Sequence, residues 1–160
     1  MEKEEIFFKE IRDGNLEAIT KMIASNPDVV NSKDQRGSTP LILATYYGQD
    51  GITELLLDKG AKINAVDASG NTALMGVCFK GFIAVAQKLL ERGADVNHQN
   101  AMGATALIYA ATFHQKEITE MLLAQGANTA IKDNRGHTAL DHAKMQKAPA
   151  LVDLLENTPQ

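Results

Sequence analysis

Apolar residues in this 160-residue chain recur at helical spacing in two successive segments of residues 34–66. The first segment contains Leu41 and Ala44. The second segment carries three apolar residues on one helical face: Ile52, Leu55 and Leu56. The pattern predicts a short helix followed by a longer one, each with a single apolar side to bury.

Boundary residues separate these two predicted helices. Thr39 suits the N-cap of the first helix, and Pro40 fits its first turn because the missing N–H costs little there. Gly48 can take the left-handed conformation that ends a helix, and Gly60 stops the second helix. The unit is therefore a turn, a short helix, a reversal, a longer helix and a loop.

This arrangement returns every 33 residues. The phrase Gly-x-Thr-(Pro/Ala)-Leu starts at four positions: Gly37, Gly70, Gly103 and Gly136. A Leu-Leu pair that precedes Gly-Ala keeps the same step, and its first members are Leu56, Leu89 and Leu122. Two motifs in register at one period indicate stacked helical units, none of which can bury its apolar face alone.

The combined pattern G-x-T-(P/A)-L, A-x-x-x-G and L-L-x-x-G-A-x-x-N resembles the ankyrin repeat. Full units fall at 34–66, 67–99 and 100–132, and polar capping units fall at 1–33 and 133–160. The resemblance implies one all-α solenoid of about five helix-turn-helix repeats with projecting β-hairpin or turn loops. It also implies protein binding on the concave face that the loops and first helices form.

Two departures from the family pattern stand out. The family favours histidine two residues after the Pro or Ala of the threonine phrase, and this chain has other residues there: Ile42, Met75, Ile108 and Asp141. In addition, His114 and Lys147 occupy the reversal positions that Gly48 and Gly81 fill in the other units. Because left-handed backbone costs a non-glycine residue about 1–2 kcal/mol, we expect those two reversals to be distorted.

Composition narrows the class of partner. The chain has 16 Lys and Arg against 20 Asp and Glu, and the basic residues are dispersed, which disfavours nucleic acid as a partner. No apolar run is long enough to span a membrane. The charged first residues lack the apolar core of a secretory signal. Cys78 is the single cysteine, so no internal disulfide is possible and a cytoplasmic location is expected.

The family's usual contact positions are the turn residues and the end of each first helix, 20 positions in all. They hold four of the chain's eight aromatic residues and no acidic residue, although an even share would place two or three acids there. Exposed aromatic residues and methionine are enriched at protein interfaces. The predicted protein-binding residues are Arg36, Tyr46, Tyr47, Phe79, Lys80, Met102, Phe113 and Arg135.

The leading hypothesis is a non-catalytic, monomeric module that binds an acidic, partly apolar segment of another protein and needs no cofactor. An adaptor, an enzyme inhibitor and an immunity-type protein all remain open. One alternative is an enzyme or small-ligand protein that uses the concave groove near Phe79, Tyr109, Phe113 and His114. Another is self-association through the same aromatic residues.

Other reactive residue types fit structural roles better. The spacing of His137, Asp141 and His142 across a turn and a helix start does not direct them to one metal ion. Cys78 falls late in a first helix, where we expect it to be a small buried apolar side chain. Asn64 and Asn97 end equivalent loops, and we expect each to form hydrogen bonds within its own loop.

Overall fold

A computed structural model describes residues 2–158, and this part of the chain forms ten α-helices. In chain order they are α1 (Lys3–Asp13), α2 (Leu16–Ser25), α3 (Pro40–Tyr46), α4 (Asp50–Asp58), α5 (Ala73–Lys80), α6 (Ile83–Glu91), α7 (Ala106–Thr112), α8 (Lys116–Ala124), α9 (Ala139–Met145) and α10 (Pro149–Glu156). A 3₁₀ helix follows α2 at Pro27–Asn31. Each odd-numbered helix forms a pair with the even-numbered helix that follows it.

The threonine of the repeated phrase is the N-cap of each of the helices α3, α5, α7 and α9. The threonine hydroxyl accepts a hydrogen bond from the backbone N–H three residues later, as Thr39 does from Ile42 at 3.1 Å. In α9 the cap is reciprocal, because the Asp141 carboxylate accepts from the Thr138 N–H at 3.0 Å. Asp141 therefore has a capping role at the position where the family favours histidine.

The helices form two layers with the core between them. Odd-numbered helices pack side by side in an inner layer, and even-numbered helices do the same in an outer layer. Equivalent leucines of both layers are almost completely buried: Leu41, Leu74 and Leu107 from the inner helices, and Leu56, Leu89 and Leu122 from the outer ones. The predicted all-α repeat solenoid is confirmed. No helix in residues 2–158 is long and apolar enough to cross a membrane.

The loops before the inner helices are compact turns. The Asp34 Oδ1 accepts hydrogen bonds from the N–H groups of Arg36 and Ser38, both at 2.9 Å. Asp67 and Asp133 repeat this arrangement, and Asn100 does so in the fourth unit. Residues 2–158 contain no β-strand, so the loops are turns without the paired strands of a hairpin.

The reversals at His114 and Lys147 keep the geometry of their glycine counterparts, so the expected distortion is wrong. Their φ angles are 58° and 54°, close to 67° at Gly48. The neighbouring unit explains how a side chain fits. A Cβ on Gly81 would lie 2.6 Å from the Gln115 amide, whereas Ala148 occupies the position of Gln115 beside His114.

Loop asparagines connect neighbouring units. Asn64 Oδ1 accepts from the Asp95 N–H and Asn97 Oδ1 from the Asn128 N–H, each at 2.8 Å. Asn31 makes the corresponding bond to the Lys62 N–H. The expectation that Asn64 and Asn97 bond within their own loops is therefore wrong, because the side-chain oxygen of each accepts a hydrogen bond from the backbone of the next loop along the stack.

Candidate functional site

Five aromatic rings form a continuous array along the inner layer. Tyr46 and Tyr47 meet edge to face, with ring centroids 5.7 Å apart, and Tyr46 stacks on Phe79 at 6.5 Å with 7° between the planes. Phe79 contacts Phe113 edge to face at 4.8 Å, and Phe113 lies 6.2 Å from Tyr109. These separations are in the range of favourable aromatic pairs. We call these five residues the aromatic array.

Most of the aromatic array remains open to solvent. Tyr46, Tyr47, Phe79 and Phe113 keep between 38% and 47% of their surface exposed. Met102 lies in the turn before α7 and is 64% exposed. Contiguous exposed apolar side chains are a common feature of interaction sites on folded domains.

The Tyr46 ring lies against the helix of the following unit. A Cβ on Gly76 of α5 would be 3.7 Å from Tyr46 Cδ2, which is an ordinary contact distance. Tyr46 thus covers part of α5 as well as contributing to the exposed surface. The positions equivalent to Gly76 hold Leu43, Tyr109 and His142.

The three predicted cationic residues have different surroundings. Arg36 and Arg135 are exposed in equivalent turns, and neither forms an ion pair with any residue between 2 and 158. The Lys80 Nζ instead lies 4.9 Å from the centre of the Tyr46 ring. Because a cation over an aromatic face is attracted to it, Lys80 is partly engaged within the protein.

A broad hollow adjoins the N-terminal end of the aromatic array. It measures about 920 Å³ and lies between α1, the turn at residues 33–38, α3 and the turn at residues 67–69. Its lining includes Tyr46, Tyr47 and Arg36, together with three glutamates of the first unit: Glu2, Glu4 and Glu5. We call it the N-terminal hollow.

The sequence places those glutamates in a polar capping unit and does not predict that they line the groove. The sequence does show them in the first turn of the first helix, but the first unit lacks the turn phrase that anchors the contact positions in the others. The N-terminal hollow is therefore lined by charges of both signs, with five carboxylates and three cations.

A smaller hollow adjoins the other end of the aromatic array. It measures about 250 Å³ and lies between the turns at residues 101–104 and 133–135. Ile108, Tyr109 and Phe113 line it on the helix side, and Met102 and Arg135 stand in the turns. We call it the C-terminal hollow.

His142 and Asp133 are hydrogen-bonded to each other beside this hollow. The His142 Nε2 donates to Asp133 Oδ2 at 2.7 Å. Burial alone would raise the pKa of Asp133. Hydrogen bonds from the His137 N–H, the His142 ring and the Arg135 N–H outweigh that effect and hold the pKa below its usual value.

The ligand-type side chains near the last unit are thus occupied by structural contacts. His142 pairs with Asp133, Asp141 caps α9, and the ring of His137 packs edge to face on His142 at 5.7 Å. Within the described part of the chain, no group of three or more His, Cys, Asp or Glu residues is placed to hold a metal ion.

The single thiol is unreactive in this setting. Cys78 is fully buried in α5, and burial raises its pKa to about 12. The thiol therefore stays protonated at neutral pH, where the thiolate would be the reactive form.

The structure places all eight predicted binding residues on the surface. Tyr46, Tyr47, Phe79 and Phe113 join one array, whereas Met102 and Arg135 lie beside the C-terminal hollow and Arg36 lies beside the N-terminal hollow. Sequence reasoning left Tyr109 outside the binding set. Its spacing of four residues from Phe113 on one helix was the available signal.

Comparison with known protein families agrees with this geometry. A family model described as ankyrin repeats in three copies matches residues 8–100 and again residues 76–159. The chain belongs to the ankyrin repeat family. A search of curated proteins found no significant match. Ankyrin repeats generally serve as protein–protein interaction modules and are typically non-catalytic, so this ankyrin chain is of a class that binds other proteins.

Proposed function

We propose that the chain is a non-catalytic module that holds a partner protein on its concave face, with the aromatic array as the main contact. The observation that carries this proposal is the continuity of five rings across α3, α5 and α7 while four of them remain substantially exposed. Preformed aromatic side chains on rigid helices lose little entropy on binding, so they are suited to be anchors.

The partner segment in this proposal is acidic and partly apolar. Apolar residues pack on the aromatic array, and carboxylates pair with Arg36 and Arg135, which have no ion-pair partner in residues 2–158. Lys80 contributes less, since it already contacts Tyr46. An adaptor, an enzyme inhibitor and an immunity-type protein all use such a surface, and the identity of the partner separates them.

The proposal also includes a monomeric, cytoplasmic protein that binds neither nucleic acid nor a membrane. The acidic balance of the chain disfavours phosphate backbones as partners. One cysteine, buried and protonated, is compatible with a reducing compartment.

The small-ligand alternative has weaker support. Small-molecule sites usually enclose about 300–1,000 Å³ of mainly apolar space. The hollow that Tyr109 and Phe113 line is about 250 Å³, and Phe79 and His114 line neither hollow. The N-terminal hollow is larger, but eight charged side chains surround it.

The test is capture of partners from native lysate with three proteins. The first is the wild type, and the second carries Tyr47→Ser, Phe79→Ser and Phe113→Ser. The third carries Leu16→Ser and Ile83→Ser, which remove similarly exposed apolar side chains from the start of two outer helices.

All three proteins must first show cooperative thermal unfolding with the same helical signal. We expect a protein that is retained by the wild type and the outer-layer variant and lost from the array variant. Equal retention by all three would place the site elsewhere, and loss from the outer-layer variant alone would place it on the opposite face.

A further inference from the structure

The C-terminal hollow has walls that are fixed before any partner binds. Asn134 connects its two turns, since its N–H donates to the Met102 carbonyl and its Nδ2 to the Ala101 carbonyl, both at 3.0 Å. On the helix side, Asn100 Nδ2 donates to the Tyr109 hydroxyl at 2.7 Å and holds that ring in place. A preformed hollow takes a side chain with little ordering cost.

Its size and its apolar floor can admit an aliphatic side chain. The volume of about 250 Å³ is below the usual range for small-molecule sites. Ile108 and Ala104 are almost fully buried beneath it, and Phe113 continues the apolar surface to the aromatic array. A side chain entering here would be in contact with the same array that the proposed function assigns to the partner.

The charges around the hollow favour a carboxylate at its rim. Asp133 is the one carboxylate among the lining residues, and its oxygens already accept from Arg135 N, His137 N and the His142 ring. The Arg135 guanidinium is exposed and has no ion-pair partner in the described chain. The rim therefore offers a cation whose charge is not used within the protein.

The opposite end of the groove gives the partner a direction. Five carboxylates and three cations line the N-terminal hollow, whereas Asp133 is the one carboxylate that lines the C-terminal hollow and it already accepts hydrogen bonds. A carboxylate of the partner therefore meets more like charge beside α1 than beside Arg135. This difference favours the last two units for the acidic end of the bound segment.

We propose that the C-terminal hollow is the anchor pocket for the partner protein: an aliphatic side chain enters between the two turns, and an adjacent carboxylate of the same segment pairs with Arg135. This inference rests on the proposed function and adds the chemistry and orientation of the partner. The adjacent carboxylate is a side chain or a chain terminus, since the same ion pair serves either.

The test uses the full chain and a minimal probe, N-acetyl-leucine, which combines an aliphatic side chain with a carboxylate. Backbone and methyl NMR signals are followed during titration, with N-acetyl-leucinamide as the uncharged probe. We expect the largest shifts at Ala104 and Ile108. The acid should bind about two- to fivefold tighter than the amide, the effect of an exposed ion pair.

Two arginine variants make the result specific. Arg135→Gln should reduce the affinity for the acid to that for the amide. Arg12→Gln removes an exposed arginine from the last turn of α1, far along the chain from the C-terminal hollow, and should leave both affinities unchanged. Both arginines are exposed, and unchanged spectra away from the site verify the fold.

Three results would overturn the proposal: no shifts at the C-terminal hollow, equal affinity for acid and amide in the wild type, or equal effects of the two arginine variants. These results are separable from failure of the proposed function. A hollow that rejects the probe in a protein whose aromatic array still captures a partner overturns the anchor assignment alone.

Discussion

The two layers of this solenoid differ in the contacts that their surface side chains make. On the outer layer, Lys88 pairs with Glu54 at 2.9 Å and Arg92 pairs with Asp58, so charges of neighbouring units neutralise each other. On the concave face, aromatic rings contact one another yet remain substantially exposed, and Arg36 and Arg135 have no ion-pair partner within residues 2–158.

This difference is consistent with the proposed role of the concave face in binding and with a structural role for the outer contacts. The outer contacts connect units and are complete within the chain. Exposed apolar residues also occur on the outer layer, but Leu16 is in the first unit and Ile83 in the third, with one unit between them. Single exposed apolar residues are ordinary, whereas a contiguous set of them is not. Contiguity is the property that distinguishes the concave face.

The largest expected effect is on the core that supports both layers. Leu89 is fully buried in α6, and Leu89→Ala should reduce the free energy of unfolding by about 2–5 kcal/mol, through lost burial and the cavity left behind. Urea unfolding followed by circular dichroism measures this loss. A loss under about 1 kcal/mol would mean that the unit repacks around the cavity.

A smaller effect is expected at the reversal between α7 and α8. His114→Gly should raise the free energy of unfolding by about 1 kcal/mol, because a left-handed residue with φ of 58° becomes glycine. Ala101→Gly, in an exposed turn position, serves as a control for the added chain entropy of glycine. A destabilised His114→Gly protein would show that the imidazole makes a compensating contact.

Acid should weaken the last unit through Asp133. Its pKa is lowered in the folded protein, so its contribution to stability is present above the unfolded value near 3.8 and is lost as the pH falls below it. Asp133→Asn removes this contribution. The stability of the variant should therefore change less than that of the wild type between about pH 5 and 3. Thermal unfolding across this range measures the difference, and parallel curves would contradict the assignment.

The smallest effect is expected from the outer ion pairs. A double-mutant cycle with Glu54→Ala and Lys88→Ala should give a small favourable coupling that weakens at high salt, since both side chains are only partly buried. The exchange of the two residues, Glu54→Lys with Lys88→Glu, is the matched control and should retain the coupling. A large coupling that persists in salt would contradict the account of this face.

The sequence was sufficient for the fold because the repeat brings local signals into register. Thr39, Pro40 and Gly48 each predict a helix boundary from their own chemistry, and the structure has those boundaries. Errors arose where a contact crosses between units. Asn64 bonds to the next loop, and His114 fits because Ala148 of the following unit is small.

The candidate site was partly predictable because the repeat also brings its surface positions into register. A comparison of equivalent positions in successive units predicted Tyr46, Tyr47, Phe79 and Phe113 as exposed residues, and in the structure these residues contact one another in one array. The glutamates of α1 were missed because the first unit lacks the reference phrase. The cation–aromatic contact of Lys80 was missed because it depends on side-chain conformation across a unit boundary.

The most direct test of the central claim is hydroxyl-radical footprinting of the wild-type protein with and without its captured partner. Mass spectrometry gives the labelling rate of each exposed residue. We predict that the rates at Tyr47, Phe79 and Met102 fall on binding and that the rates at Leu16 and Ile83 do not change. Protection of Leu16 and Ile83, with unchanged labelling of the aromatic array, would contradict the assignment of binding to the concave face.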